Sequence, residues 1–356
     1  MEYPSAYGFF FEGPGHPLIR RPMPALAPAA GEVVIEVSGC GICHTDVGFA
    51  VDGVPTRHPP PIVLGHEISG RVVDTGAGAA EWRDAAVIVP SVIPCGACPA
   101  CCAGRPTICR RQFMPGNDGH GGFATHVKVP ARGLCRVPDQ LRPGLPLSWL
   151  SVIADAVTTP YEAIRRSRLT EDHVAVFVGV GGVGGFGVQI AAALGAAVAA
   201  IDVDGARLAL AARHGATLTI NSSESDVRST RAAIRAFAQD SGRSGLGLRI
   251  FETSGTPAGQ QTAFNLLDFG AHLAVVGYTP KPVELKLSNL MAFDATAAGN
   301  WGCPPDRYPE VLELVLGGGV SLDDYVEVHA LDCAPNVFQR VVEHKLTRRA
   351  ILTPTQ

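Results

Sequence analysis

The chain has 356 residues, 46% of them hydrophobic, with 29 basic against 33 acidic side chains and a net charge of −4. That length exceeds one typical core and predicts two domains, while so small and dispersed a charge excludes nucleic acid and anionic membrane as evident partners. The opening MEYPSAYGFFFEGPG has no basic start followed by an apolar run, and no stretch of about 18 apolar residues occurs, so a soluble, cytoplasmic protein acting on a small molecule is expected.

In chain order, residues 32–37 (EVVIEV), 68–73 (ISGRVV) and 86–90 (AVIVP) are short β-branched segments separated by Gly, Pro and Asp, and they predict a mostly β first part. From residue 158 the pattern changes to an apolar strand HVAVFVG, a glycine turn, the helix-like GVQIAAALG and a second strand AVAAIDVD, which together make a βαβ unit. The helix-like ARLALAARHG, the strand-like LRIFETSG and the strand AHLAVVGY continue the rhythm, predicting a parallel sheet with covering helices. The residues after 301 predict a helix and a last strand, RRAILTP.

Five of the ten cysteines fall within residues 95–109, a crowding that points to metal rather than disulfides in a chain this long. In CGACPACCAGRPTIC, Cys95, Cys98, Cys101 and Cys109 have a spacing with which four thiolates converge on one tetrahedral ion. Such a closed structural zinc site holds a lobe in shape and offers substrate no opening. The competing reading is free or buried cysteines; Cys102 has no place in the pattern.

CGICHTDVG, residues 40–48, requires a different site, because Cys43 needs partners from elsewhere. LGHE supplies His66 and Glu67, and VIADAVTTPY supplies Asp155, a carboxylate in an apolar and hydroxyl setting where it would be costly if buried unpaired. Cys43, His66 and Asp155 form a sulfur, nitrogen and oxygen set that leaves the fourth tetrahedral position open, as a catalytic zinc requires. Each residue alone reads as an ordinary core or surface side chain; the combination carries the assignment. Asp46 is then either the carboxylate that fixes the His66 tautomer or a turn and cap residue.

FVGVGGVGGFG places Gly179, Gly181, Gly182 and Gly184 directly after a strand and at the opening of a helix, with Asp202 at the end of the next strand about 20 residues on. Glycines there let the backbone approach a pyrophosphate, and the helix start offers free N–H groups. Asp202 would accept from the adenosine ribose hydroxyls and repel a 2′-phosphate, which predicts NAD over NADP. Arg207 is either a solvated helix charge or a group near the ribose that would tolerate a phosphate.

An open catalytic zinc, a four-cysteine lobe and a dinucleotide fold in this order resemble the zinc-dependent medium-chain alcohol dehydrogenases, with GCGICHTD, LGHEISGRV, PCGACPAC and GVGGVGG as landmarks. The resemblance implies an α/β protein: a GroES-like, mostly β catalytic domain at 1–157 and 299–356, and a Rossmann, doubly wound parallel-sheet NAD domain at 158–298, with the active site in the cleft. It further implies that Thr45 receives the substrate hydroxyl proton, that His44 and Arg349 lie near the cofactor pyrophosphate, and that Thr159, Val183 and Val276 wall the nicotinamide. By the same resemblance Glu67 approaches zinc during ligand exchange, and Gly299 and Trp301 meet the nicotinamide amide through their backbone. Dimers or tetramers are implied as well. The chain departs from many relatives at Gly48, where they carry a histidine that relays the proton to water; ordered water or another titratable group such as His58 would have to replace it.

A narrower resemblance, carried by MPGNDGHGGFATHVKVPARGLC, VIADAVTTPY, SNLMAFDATAAGNWGCPPDRYP and HKLTRRAILTP, is to the 6-hydroxycyclohex-1-ene-1-carbonyl-CoA dehydrogenases of anaerobic benzoyl-CoA breakdown. It implies an acyl-CoA substrate, with Arg57, Arg110, Arg111 and Lys281 either at the rim that meets coenzyme A or solubilising surface charges. The expected reaction is zinc-dependent, NAD-linked oxidation of the ring alcohol. The rivals are hydride addition to the conjugated carbon of an enone thioester, a generic secondary alcohol dehydrogenase, and a non-catalytic zinc and nucleotide scaffold.

Overall fold

The computed structural model describes residues 5–243 and 245–354, so the first four residues of the opening stretch lie outside it. The chain divides into two compact units, one of Met1–Thr158, Gly302–Leu316 and Val326–Gln356, the other of Thr159–Trp301 and Gly317–Tyr325. Among the described residues no helix is long and apolar enough to cross a membrane.

The first unit is built on the strand Glu32–Gly41, whose Val33, Val34, Ile35 and Val37 are buried. It pairs antiparallel with Glu67–Thr75, His126–Pro130 and the last strand, Arg349–Thr353. The register matters for chemistry, because Gly41 lies opposite both Glu67 and Ile351. Three strand ends therefore meet at one edge of the sheet. Cys43 follows the first of these ends by two residues, His66 precedes the second by one, and Arg349 opens the third. Gly41 is glycine for a local reason, since a Cβ there would overlap the Glu67 carboxylate. Behind this edge Val33, Ile35, Ile68, Val87, Phe123 and Phe338 belong to one apolar core.

The second unit is a parallel sheet in the spatial order Leu218–Asn221, Ala197–Asp202, Val174–Val178, Arg249–Glu252, His272–Val275 and Thr296–Gly299. The first strand in sequence lies at the centre, with the second on one side and the fourth on the other, which is the doubly wound order. Val174–Val178 is buried throughout, as a central parallel strand covered on both faces must be. Ligands of such sheets bind beyond the carboxyl ends of the strands where the order reverses, and here those ends are Val178, Asp202 and Glu252.

The expected boundary gave everything after residue 298 to the first unit, whereas Gly299–Trp301 and Gly317–Tyr325 belong to the second. Side chains explain the return of the later segment. Tyr325 packs on Phe186 with ring centroids 5.1 Å apart, Asp324 meets His214 at 2.9 Å, and Ser321 exchanges two hydrogen bonds with the Gln189 side chain at 2.7 and 3.1 Å. None of these partners announces itself in a hydropathy pattern.

Candidate active site and metal centres

Cys43 is the N-cap of the short helix His44–Ala50. Asp46, fully buried, accepts from the Cys43 N–H through Oδ2 and from the Gly65 N–H through Oδ1, each at 3.0 Å. One carboxylate thus ties together the two segments that carry Cys43 and His66. The same Oδ1 lies 3.5 Å from His66 Nδ1. That is too long for a close hydrogen bond and leaves Nδ1 without another partner, but it is the carboxylate nearest the ring. Asp46 is therefore both the side chain that closes the cap on the Cys43 N–H and the carboxylate nearest His66. Burial opposes a charged imidazole at His66, yet Asp46, Asp155 and Cys43 around it hold its pKa well above the ordinary range.

Asp155 closes the set. Its Oδ2 is 3.5 Å from Cys43 Sγ and 3.6 Å from His66 Nε2. Ligands held about 2.0–2.3 Å from a tetrahedral centre are about 3.3–3.8 Å from one another, so these separations are the edges of a zinc-sized tetrahedron. Ligand atoms of Cys43, His66, Glu67 and Asp155 all lie within 4.8 Å of one another. Glu67, however, has its oxygens engaged: Arg349 donates to both, from Nη2 at 2.5 Å and Nε at 2.7 Å, and the Ala156 N–H reaches Oε1 at 3.1 Å. Burial works against the guanidinium of Arg349, and Glu67 beside it more than restores its charge. Cys43, His66 and Asp155 thus bring a sulfur, a nitrogen and an oxygen to tetrahedral spacing, a donor set that could hold a zinc ion with a fourth position left for substrate.

Thr45 sits half-buried with Oγ1 3.6 Å from Cys43 Sγ. His44 is exposed and stacks on His344, rings 5.5 Å apart and 18° from parallel. The fork of Arg349 is spent on Glu67, a use that the expected pyrophosphate contact did not anticipate. Gly48 is buried. The imidazole of His58 is held by its neighbours, with Nδ1 2.8 Å from the Pro59 carbonyl and the ring 5.5 Å from His120. Arg57 pairs with Asp118 at 3.1 Å, and Arg110, Arg111 and Lys281 are exposed.

The four-cysteine lobe is assembled from one short stretch. Cys98 Sγ lies 3.5 Å from Cys101 Sγ and 3.7 Å from Cys109 Sγ, again tetrahedral edges. All four sulfurs of Cys95, Cys98, Cys101 and Cys109 fall within 4.8 Å of one another. The Ala97 backbone N–H draws the Cys95 thiol down to about 6, while burial and the neighbouring thiols push Cys101 up to about 11. Cys102 is exposed and outside the cluster.

In the second unit the glycine loop follows Val178. Gly179 has φ +89°, and a Cβ there would come 2.5 Å from Ser254; a Cβ at Gly184 would collide with the Gly179 carbonyl. At Gly181 the nearest atom to such a Cβ is the Arg207 guanidinium at 3.8 Å, so nothing in the chain demands glycine. The open space at Gly181 would let a pyrophosphate approach the backbone closely. Gly182 and Val183 lie between, Val183 as the N-cap of the helix Gly184–Ala193. Asp202 ends its strand buried, with Oδ2 accepting from Val180 N–H at 2.8 Å and Oδ1 from Asp204 N–H at 3.0 Å. Arg207, 3.7 Å from Asp204, is brought over the loop at Gly181.

Thr159 is buried near the start of the helix Thr158–Arg166, and its carbonyl accepts from Asn300 Nδ2 at 3.2 Å. Arg166, at the other end of that helix, donates to the Gly299 carbonyl at 2.9 Å and to Asn300 Oδ1 at 3.2 Å. Val276 N–H bonds the Glu252 carbonyl at 2.9 Å, and Trp301 is half exposed. Sequence reasoning missed Arg166, Asn300 and the buried Glu252, whose Oε1 accepts from Ser254 and Gly255 N–H groups. An acid closing an apolar strand, IFE, was the available signal for Glu252; the other two have none.

Residues 29–139 match the alcohol dehydrogenase GroES-like domain, and residues 182–317 match the zinc-binding dehydrogenase family. The chain is 31% identical over 314 residues to an L-threonine 3-dehydrogenase of Bacillus velezensis, covering 86% of each chain. The chain belongs to the zinc-type medium-chain alcohol dehydrogenases. An alcohol dehydrogenase of Rhizobium meliloti is 28% identical over 346 residues, 95% of this chain and 96% of that one. The crystal structure of the alcohol dehydrogenase from the archaeon Aeropyrum pernix superposes with a TM-score of 0.85 at 25% identity, covering 98% of this chain and 100% of that one. As a member of this family the chain is an alcohol oxidoreductase of the zinc type, and its two ligand clusters are donor sets that fit zinc.

Proposed function

We propose that this dehydrogenase oxidises the ring alcohol of 6-hydroxycyclohex-1-ene-1-carbonyl-CoA to the 6-oxo enone, reducing NAD to NADH with release of a proton. The observation that carries the alcohol chemistry is the convergence of Cys43, His66 and Asp155 at tetrahedral spacing. The thioester substrate rests on the four stretches named above, from MPGNDGHGG to HKLTRRAILTP.

Bound at that set, zinc supplies Lewis acidity to the substrate oxygen. The chain does the rest. Cys43, His66 and Asp155 hold the metal, and Asp46 fixes the segments bearing the first two. Thr45, two residues from Cys43, takes the hydroxyl proton. Gly179, Gly181, Gly182 and Gly184 admit the pyrophosphate, and the Asp202 carboxylate at the ribose disfavours a 2′-phosphate, so NAD is used in preference to NADP. Thr159, Val183 and Val276 orient the nicotinamide, with Gly299 and Trp301 meeting its amide. A nicotinamide held there would supply the hydride acceptor for the carbinol carbon. His44 would lie near the pyrophosphate; Arg349, with Nε and Nη2 taken by Glu67, would have only Nη1 to offer it, and Glu67 would serve zinc only when released from that pair.

A broader secondary-alcohol specificity is the second reading, favoured by the 31% identity to a protein named L-threonine 3-dehydrogenase. NADH formation from the ring-alcohol thioester, from threonine and from simple secondary alcohols separates the two. The proposal expects kcat/KM for the thioester at least about 100-fold above the others, the margin a built specificity site provides; equal rates contradict it. Run in reverse from the enone with 4-deuterated NADH, the alcohol product should carry deuterium at the carbinol carbon. Label on the conjugated ring carbon would instead make the chain a conjugate reductase.

A further inference from the structure

We propose that Tyr308 is a positioning residue for the metal ligand Asp155, acting through the Ala154 carbonyl that immediately precedes it. This rests on the reading of Cys43, His66 and Asp155 as the catalytic zinc site. Tyr308 opens the helix Tyr308–Leu316, in the stretch where the first unit resumes, and is fully buried. Its hydroxyl donates to the Ala154 carbonyl at 2.5 Å and accepts from the Ser91 N–H at 3.2 Å. A phenylalanine would fill the same volume. The hydroxyl is what ties this helix to Ala154, and a hydroxyl buried without partners would be a net cost.

Ala154 ends the 3₁₀ segment Leu147–Ala154, and the next residue, Asp155, leaves helical geometry at φ −142° and ψ −59°. The Asp155 side chain meets Cys43 Sγ and His66 Nε2 at 3.5 and 3.6 Å, and Thr158 Oγ1 donates to the Asp155 carbonyl at 3.4 Å. The flanking peptide groups set the backbone from which that side chain reaches. On one side the Ala154 carbonyl is held by Tyr308 and, at 3.4 Å, by Ser91 N–H. On the other, the Ala156 N–H is held by Glu67 Oε1 at 3.1 Å, with Glu67 itself locked by Arg349. An aspartate reaches a metal over a single methylene, so a shift of its backbone passes to the donor oxygen almost undiminished. Metal sites tolerate displacements of only about 0.5 Å, and partners that orient ligands are worth about 10- to 100-fold in metal affinity.

The test is Tyr308→Phe, measured by competition against a chromophoric chelator and by the visible absorption of the cobalt(II)-substituted protein. The four-cysteine zinc in the same chain is the internal reference. The expected result is about 10- to 100-fold weaker retention of the catalytic zinc, unchanged retention of the four-cysteine zinc, and altered cobalt bands. Wild-type affinity at both sites with an unchanged cobalt spectrum overturns the proposal. Asp155→Ala distinguishes the underlying reading: if that variant still binds the metal as wild type does, Asp155 is no ligand and both readings fall. Should Tyr308→Phe not fold, 3-fluorotyrosine introduced at position 308 keeps the ring and the donor. Its fluorine resonance is expected to move as zinc fills the Asp155 site of the metal-depleted protein, since coupling is reciprocal. A stationary resonance overturns the proposal.

Discussion

The two metal centres lie in one unit and both use cysteine, yet they are built by opposite means. Cys95, Cys98, Cys101 and Cys109 come from 15 consecutive positions, 95–109, of which three of the four ligands are only half-buried. Cys43, His66 and Asp155 come from segments up to 112 residues apart and rely on strand register to meet. The local site satisfies its metal with its own four sulfurs and has nothing left over for substrate. The distributed site offers three donors, surrounds them with Asp46, Glu67 and Arg349, and keeps a position free. A closed site can be specified by spacing alone; an open one has to be held by its neighbours.

If that contrast is right, damage to the open site should abolish chemistry while damage to the closed one should cost mainly structure. The largest effect is expected for Cys43→Ser and Asp155→Ala, each lowering turnover at least about 1,000-fold, the equivalent of the several kcal/mol a Lewis acid contributes; steady-state NADH formation measures it. Asp46→Asn keeps the shape but weakens the acceptor for Cys43 and Gly65 N–H groups. Catalytic-zinc affinity should fall about 10- to 100-fold, read by competition with a chelator, with the four-cysteine zinc unaffected.

Timed chelation sharpens the comparison further. The three-donor site should empty first, so activity is lost before the melting temperature changes; simultaneous loss of both would show that the two centres are not independent. The smallest effect on chemistry is expected for Cys98→Ser. It should lower the melting temperature by about 5–10 °C, a few kcal/mol for a domain of this size, and loosen residues 95–109 to proteolysis. The kcat of the folded fraction should stay within about threefold of wild type, far inside the loss expected at the open site.

What could be read from the sequence follows the same division. The four-cysteine lobe and the glycine loop were legible because their chemistry is local: thiols at ligand spacing, and glycines between a strand and a helix. Cys43, His66 and Asp155 were legible only as a combination. The pairing of Glu67 with Arg349, 282 residues apart, was not. Both were assigned to other partners, because a bidentate ion pair leaves no trace in spacing. Tyr308 carried no signal either, being a lone tyrosine before a proline whose partner is a backbone carbonyl 154 positions away. Residues 317–325 were placed in the wrong unit because polar pairs such as Asp324 with His214 hold them, and periodicity does not record such pairs.

The most direct test is zinc stoichiometry by mass spectrometry alongside turnover, on the wild-type chain and on Asp155→Ala. The account predicts two zinc ions per chain in the active wild type, from its two ligand clusters, and one in a folded, inactive Asp155→Ala. A wild-type preparation fully active with only the four-cysteine zinc bound would contradict it.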